Sequence, residues 1–247
     1  MFELKIDDAR YWKSCVDSIV NLIDEGTFNI TKEGISLKAL DPFSISMVSF
    51  FMPNKAFSKY EVDKPASIGL NLENLGKILA SSRQGEQLVM KESSNKLALE
   101  FIGEHSKRRY KLPIREVSKP ASNEIKIEFE SIVDVKAESL REILKDANLL
   151  SKHVSFKTDK DSFFVIAKGD AGELEEEHVN NANAVKKMKI IKPASSSFDL
   201  DYLERMISAC PSESTMTLSL KNKDPIKIDY NIGDASVSYF LAPYIES

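Results

Sequence analysis

The hydrophobic positions of this chain follow two spacings, one typical of helices and one typical of strands. In residues 8–23 and 138–150, apolar side chains recur at steps of three and four, as on one face of an α-helix. Residues 72–82 and 200–209 show the same spacing over a shorter length. Segments of alternating polar and apolar residues, separated by turn residues, fill the rest and predict antiparallel strands. The pattern therefore predicts a sheet-dominated α+β fold.

The predicted elements occur twice along the chain. An ungapped shift of 128 residues places 70–79 on 198–207 and keeps every apolar position. The same shift brings together Asn71 and Asp199, which stand directly before the two short helices and are predicted N-caps. Between the copies, a stretch with Pro, Ser and Asn and no periodicity predicts an exposed connector. We therefore expect an N-terminal domain, a connector and a C-terminal domain at residues 1–113, 114–124 and 125–247.

Composition is that of a globular protein without a membrane span. The chain has 247 residues, of which 42% are hydrophobic and 29% charged, and it contains neither a run of 18 apolar residues nor a secretory signal. An intracellular protein is expected. Cys15 and Cys210 are far apart in sequence and are predicted to be reduced core thiols. A net charge of −4 argues against nucleic-acid binding by bulk positive charge, although it allows a local basic stripe.

Catalytic chemistry is hard to find in this sequence. His105, His153 and His178 stand apart, and neither a nucleophile in a recognisable turn nor a phosphate-binding glycine loop is present. The acidic run at 169–178 lacks the regular spacing of a calcium loop and is interpreted as a solvated loop or strand edge. No enzyme activity, cofactor or metal is expected.

Basic residues recur on the polar faces of all four predicted helices. Lys77 and Arg205 coincide under the 128-residue shift, and carboxylates such as Asp17 and Glu204 lie nearby. For any single helix, a solvated face is the simpler interpretation. Recurrence at equivalent places of a duplicated domain favours contact with a symmetric polyanion through its phosphates.

Five segments stand out in order along the chain, at residues 34–53, 70–79, 111–117, 225–230 and 239–246. They include a Leu-Asp-Pro that follows a predicted strand and a Leu-Ala-Pro-x-Ile-Glu at 241–246. Together these segments resemble the proliferating cell nuclear antigen (PCNA) family of DNA sliding clamps, archaeal type, and the pairing of the two motifs is specific to that family. The resemblance covers essentially the whole chain.

The resemblance implies the DNA-clamp fold and a function without catalysis. Three chains would close head to tail into a ring of six similar domains, with helices lining the hole and antiparallel sheets outside. Such a ring would encircle duplex DNA and act as a DNA polymerase processivity factor. Where the family usually carries a lysine on the fourth helix, this chain has Ser208. The implied pore residues are Arg10, Lys13, Lys77, Arg83, Arg141, Lys145 and Arg205.

Two further sites are implied by the resemblance. A hydrophobic pocket for partner peptides with a glutamine and two aromatic residues would comprise Leu40, Ile45, Met47, Val117, Pro225, Phe240, Ala242 and Pro243. In the subunit interface, Arg108, Arg109 and Tyr110 of one chain would face Glu138, Glu142 or Asp146 of the next. Arg83 has a second assignment at that interface.

The implied partners are those of a replication clamp. They are double-stranded DNA without sequence preference, two further clamp subunits, DNA polymerase, the clamp loader replication factor C, flap endonuclease and DNA ligase, and no membrane. Three copies of one chain are favoured over three related chains. The expected location is cytoplasmic and nucleoid-associated in an archaeon, or nuclear in a eukaryote. The alternatives are a DNA-independent peptide-binding scaffold and an enzyme with an unrecognised site.

Overall fold

The computed structural model of this chain describes residues 1–116, 126–181 and 183–245. The described residues form two compact units. The first comprises residues 1–44, 48–116 and 232–237, and the second the remaining described residues. Val117 and the rest of the predicted connector beyond residue 116 lie outside the described part of the chain.

The first half of the chain contains nine strands and two α-helices within its described residues. The strands are β1 (Phe2–Ile6), β2 (Glu25–Ile30), β3 (Gly34–Leu40), β4 (Ser46–Pro53), β5 (Lys59–Val62), β6 (Ala66–Asn71), β7 (Gln87–Ser93), β8 (Lys96–Ile102) and β9 (Lys107–Pro113). The helices are α1 (Ala9–Val20) and α2 (Leu72–Leu79).

The described residues of the second half contain the same number of each. The strands are β10 (Ser131–Lys136), β11 (His153–Asp159), β12 (Ser162–Gly169), β13 (Gly172–Val179), β14 (Val185–Ile190), β15 (Ala194–Asp199), β16 (Thr215–Leu220), β17 (Ile226–Ile232) and β18 (Ala235–Leu241). The helices are α3 (Ala137–Asn148) and α4 (Leu200–Ser208).

Strand order repeats along with the sequence. In the first half, the antiparallel orders are β5-β1-β7-β8-β9 and β4-β3-β2-β6. In the second half, they are β14-β10-β16-β17-β18 and β13-β12-β11-β15. Each strand of one half has a counterpart at the same place in the other. The 128-residue shift found in the sequence therefore describes a duplicated α+β topology.

All four helices form where the apolar spacing predicts them. They begin within one residue of the predicted starts and end one to three residues earlier, a difference at the level of fraying ends. Both predicted N-caps are confirmed, because Asn71 accepts a hydrogen bond from the Asn74 amide at 2.8 Å and Asp199 accepts one from the Tyr202 amide at 3.2 Å. Each cap satisfies an amide that the helix itself leaves without a partner.

The two hydrophobic cores carry their large side chains at different positions of the same topology. In the first, Trp12 of α1 packs against Phe28 and Phe50, with ring centroids 5.8 and 6.2 Å apart. The position equivalent to Trp12 is Leu140, which is also buried. There the sheet carries larger rings, since Phe163 and Phe198 stand where the first half has Ile35 and Leu70, and both pack against Phe156 with ring centroids 5.5 and 6.0 Å apart. Exchanging large and small residues in this way conserves core volume, which is the kind of change that cores tolerate best.

The two cysteines are buried free thiols, as predicted. Cys15 lies on the inner face of α1 and Cys210 follows α4. Burial raises the pKa of each thiol to about 12, so both remain protonated and unreactive at neutral pH.

Candidate functional site

The basic residues of the helices lie on the faces that point away from the core. Arg10, Lys77, Lys145 and Arg205 are exposed, and Lys13 is half-buried. The opposite faces of the same helices are buried through Val16, Leu75, Leu144 and Leu203. Arg83 lies in the loop after α2, where its side chain is exposed and its backbone amide donates to Glu86 at 2.7 Å.

Three of these cations form ion pairs with a carboxylate one helical turn away. Lys13 pairs with Asp17, Lys77 with Glu73 and Arg205 with Asp201. The bond to Asp201 raises the pKa of the Arg205 guanidinium. Solvent-exposed pairs of this kind contribute about 0–1 kcal/mol each. Replacing such a carboxylate partner by a phosphate would therefore cost little. The cations are not alone on these faces, since α1 to α4 together carry six cations and seven carboxylates.

Arg141 differs from the other helical cations because its guanidinium is engaged by its own chain. It donates from α3 to the carbonyls of Ile207 and Cys210 at the C-terminal end of α4. That end of a helix carries unpaired carbonyls and a partial negative charge, both of which a cation satisfies. Arg141 thus links α3 to the end of α4 through hydrogen bonds. Its position in the sequence pattern of the helix did not predict this role.

Among the predicted interface residues, Arg108 braces the outer strand β9 against the loop after α2. It binds the buried carboxylate of Glu86 at 2.6 Å and the carbonyl of Ser81 at 3.0 Å. Burial opposes ionisation of Glu86, yet the Arg83 amide and the Arg108 guanidinium outweigh it and lower the carboxyl pKa. Arg109 remains exposed and pairs with Glu100 on the neighbouring strand at 3.0 Å. Tyr110 is half-buried and packs edge-on against Phe101.

The other predicted interface residues lie on α3. Glu138, Glu142 and Asp146 are all exposed there. Their facing of a neighbouring subunit stays a prediction.

Strand β13 contains the acidic run and is the outermost strand of its sheet. Glu173, Glu175 and Glu177 are exposed along it, and Glu176 lies beside His178 at 3.2 Å. The sequence interpretation of this run as a solvated loop or strand edge is confirmed, because β13 ends its sheet.

The predicted peptide pocket begins at a tight turn. The Asp41 carboxylate accepts from the Phe43 amide at 3.0 Å and its carbonyl from the Ser44 amide at 2.9 Å, which closes the turn after β3. Leu40 and Ile45, on either side of this turn, are 36% and 40% exposed. Met47 is buried. Leu40 and Ile45 therefore offer apolar surface to a partner, whereas Met47 belongs to the packed interior.

Toward the C-terminus, Phe240 lines an open groove. Four half-buried residues of the prediction lie here: Phe240 is part of β18, Ala242 and Pro243 follow it, and Pro225 directly precedes β17. The groove beside Phe240 is also lined by Ile127 and Phe129, together with Lys126, Glu128, Lys221 and Lys227. Sequence reasoning missed Ile127 and Phe129, although apolar residues alternate with charged ones at 125–130 directly after the predicted connector.

The described residues contain neither a candidate metal site nor a membrane-spanning helix. Within them, no group of three His, Cys, Asp or Glu side chains could hold a metal ion. No helix in the described ranges is long and apolar enough to cross a bilayer.

Comparison with known families matches nearly the whole chain. The model of the proliferating cell nuclear antigen N-terminal domain matches residues 1–117, and that of its C-terminal domain matches residues 124–245. A DNA polymerase sliding clamp of Methanococcus vannielii is 32% identical over 245 residues, covering 97% of this chain and 98% of that protein.

Two solved structures show the same fold. PCNA from Thermococcus kodakaraensis superposes with a TM-score of 0.94 at 24% identity, over 99% of this chain and all of that one. A. fulgidus PCNA, solved with the C-terminal region of FEN-1 bound to it, superposes with a TM-score of 0.91 at 24% identity, over the full length of both chains. The predicted DNA-clamp fold is confirmed.

Replacing Arg141 with alanine should destabilise the second half of the chain by about 1–3 kcal/mol, because charged hydrogen bonds to the end of α4 are lost. Lys145→Ala on the same helix is the matched control and should change the free energy of unfolding by less than about 0.5 kcal/mol. Urea unfolding followed by circular dichroism measures both. Equal stability of the two variants would contradict the tie between α3 and α4.

Proposed function

This chain belongs to the proliferating cell nuclear antigen family of DNA polymerase sliding clamps, and we propose that three copies of it close into a ring around duplex DNA. As a member of this family it is a processivity factor and not an enzyme. Its task is to keep replication proteins on DNA without reading the sequence. The free strand edges of opposite charge support ring closure most directly.

Ring closure needs two complementary surfaces on one chain. Strands β9 and β13 each end a sheet and leave one side of their backbone without a strand partner among the described residues. Edge strands of this kind pair with another chain unless something prevents it. The side chains match as well, since β9 carries Lys107, Arg109 and Lys111 whereas β13 carries Glu173, Glu175 and Glu177. When one surface of a chain binds a different surface of the next copy, the contact is head to tail. Such contacts close into a ring if the rotation between successive copies allows it.

The helices are proposed to face the DNA. Duplex DNA carries a negative charge about every 1.7 Å of its axis, and a protein that neutralises phosphates binds it without reading bases. The exposed cations of α1 to α4 suit such contacts because their own ion pairs are weak. Arg141, whose guanidinium is bound to the end of α4, would contribute positive electrostatic potential inside the ring. It would not make a flexible contact with a phosphate. Weak, exchangeable contacts allow sliding, while the closed ring prevents escape.

Partner proteins are proposed to dock beside the C-terminal segment. Leu40, Ile45 and the groove at Phe240 and Phe129 offer apolar anchors of the size that an aromatic-bearing peptide needs. Lys126, Lys221 and Lys227 at the rim would favour partners with acidic flanks. We propose DNA polymerase, replication factor C, flap endonuclease and DNA ligase as partners, in line with the FEN-1 segment bound by the A. fulgidus protein. We also propose that residues 114–124 connect an N-terminal domain, 1–113, to a C-terminal domain, 125–247.

Reversing Lys13, Lys77 and Lys145 to glutamate should lower clamp-stimulated DNA synthesis by at least about tenfold, because phosphate contacts are replaced by repulsion. The matched control reverses three exposed lysines of turns between strands, Lys32, Lys64 and Lys160. Primer extension with a polymerase and loader is the measurement, and light scattering confirms that both variants assemble. Undiminished stimulation by the helix variant would reject the pore assignment.

Reversing Glu173, Glu175 and Glu177 to lysine should dissociate the ring into single chains, because like charges then meet at the paired edges. Adding Lys107→Glu, Arg109→Glu and Lys111→Glu in the same chain should restore assembly by recreating opposite charges. Size-exclusion chromatography with light scattering measures the mass of each form. A wild-type chain with the mass of a monomer at micromolar concentration would refute the ring itself.

Replacing Phe240 and Pro243 with alanine should weaken binding of a glutamine-aromatic peptide by about tenfold or more, because buried anchors dominate such interfaces. Phe51→Ala serves as the control, since this aromatic residue is 40% exposed on β4 and has no proposed role in the groove. Isothermal calorimetry with the wild type and both variants gives the affinities. If the first variant bound as tightly as the control, the pocket would lie elsewhere.

A further inference from the structure

The segment after the last strand is held by backbone bonds on alternate residues. The Ala242 amide donates to the Ile45 carbonyl at 2.9 Å, and the Tyr244 amide donates to the Ser197 carbonyl at 2.7 Å. Pro243, between them, has no amide hydrogen to donate. Ala242 and Pro243, two of the proposed peptide anchors, thus lie in a segment held by these two backbone bonds, whereas Phe240 belongs to β18 itself.

A side-chain contact reinforces the second of these bonds. The ring of Tyr244 stacks on the imidazole of His153 with centroids 3.5 Å apart and planes 18° from parallel. His153 is the first residue of β11 and pairs with Asp199 of the neighbouring strand β15, to which Ser197 also belongs. Tyr244 therefore contacts one edge of this sheet through both its backbone and its ring.

The first half of the chain has the same arrangement with different chemistry. After β9, the Arg115 amide donates to the Gly69 carbonyl at 2.9 Å, and the Arg115 guanidinium pairs with Glu25 at 3.1 Å. The 128-residue shift places Gly69 on Ser197 and Glu25 on His153, and Arg115 falls one position from Tyr244. An exposed ion pair, which is weak, occupies the place that the aromatic stack takes in the second half.

We propose that Tyr244 and His153 form a latch that positions the C-terminal segment for partner binding. This inference rests on the proposed function and names two positioning residues, neither of which needs to touch the partner. Segments outside helices and strands are ordinarily more mobile than the elements they connect. A segment held in its bound conformation loses less entropy when a peptide docks against Phe240, Ala242 and Pro243, so the complex is tighter.

Hydrogen exchange tests the latch without any partner. Exchange of the Ala242 and Tyr244 amides in the assembled protein should be about two- to tenfold faster in Tyr244→Ala and in His153→Ala, as expected for loss of an aromatic pair. The double variant should exchange no faster than either single variant, because the two rings form one contact. Tyr244→Phe keeps the stack and should behave as the wild type.

Two substitutions are matched controls. Ile245→Ala removes the neighbouring side chain, which is 79% exposed, and Arg115→Ala removes the equivalent tie of the first half. Neither should change exchange at Ala242 and Tyr244. Wild-type exchange in Tyr244→Ala, additive effects in the double variant, or failure of Tyr244→Phe to restore protection would each overturn the latch.

Calorimetry with a glutamine-aromatic peptide then tests its consequence. Affinity should fall about two- to tenfold in Tyr244→Ala and His153→Ala and return in Tyr244→Phe. Faster exchange with unchanged affinity would overturn the positioning role. If the wild type bound no such peptide, the proposed partner site would fail, while the exchange result would still decide whether the latch exists.

Discussion

Unpaired backbone groups at the edges of the sheets are the constraint on which the rest of this structure depends. A strand that ends a sheet must pair with something or be protected from pairing. Here β6 and β15 each receive a single bridge from the chain that follows, at Arg115 and Tyr244. Among the other strands that end a sheet, which are β5, β9, β13 and β14, the pair β9 and β13 carry opposite charges. The proposed ring would pair the backbone of β9 with that of β13, and the proposed latch secures the bridge to β15. Both therefore provide partners for backbone groups at sheet edges.

The proposed DNA-facing helices carry their cations beside carboxylates, as expected of a chain that is acidic overall. Carboxylates one turn from Lys13, Lys77 and Arg205 keep the helical cations in weak, solvent-exposed pairs. Such pairs cost little to exchange for phosphate and are easily restored afterwards. A clamp that must slide needs contacts of that strength. In the proposed ring, closure around the duplex rather than the strength of individual bonds would hold the chain on DNA.

Duplication supplied one topology, and the two halves have since diverged in chemistry. Trp12 on the helix of the first core has Leu140 as its counterpart, whereas Phe163 and Phe198 on the sheet of the second core take the places of Ile35 and Leu70. Glu25 with Arg115 and His153 with Tyr244 secure equivalent positions by charge and by stacking. The backbone can stay the same because packing volume and edge pairing are satisfied by several combinations of side chains.

The sequence by itself determined the helices, most strands, the repeat, both N-caps and the family, because periodicity, capping and family motifs are written in neighbouring residues. Only the tertiary structure decided which strands lie at edges, that Arg141 is bound to the end of α4, and that Phe129 lies beside Phe240. The tertiary structure also decided the partner of Tyr244, because His153 is 91 residues away in the sequence. Such contacts depend on strand order and register, which join residues distant in sequence and leave no local pattern to predict them.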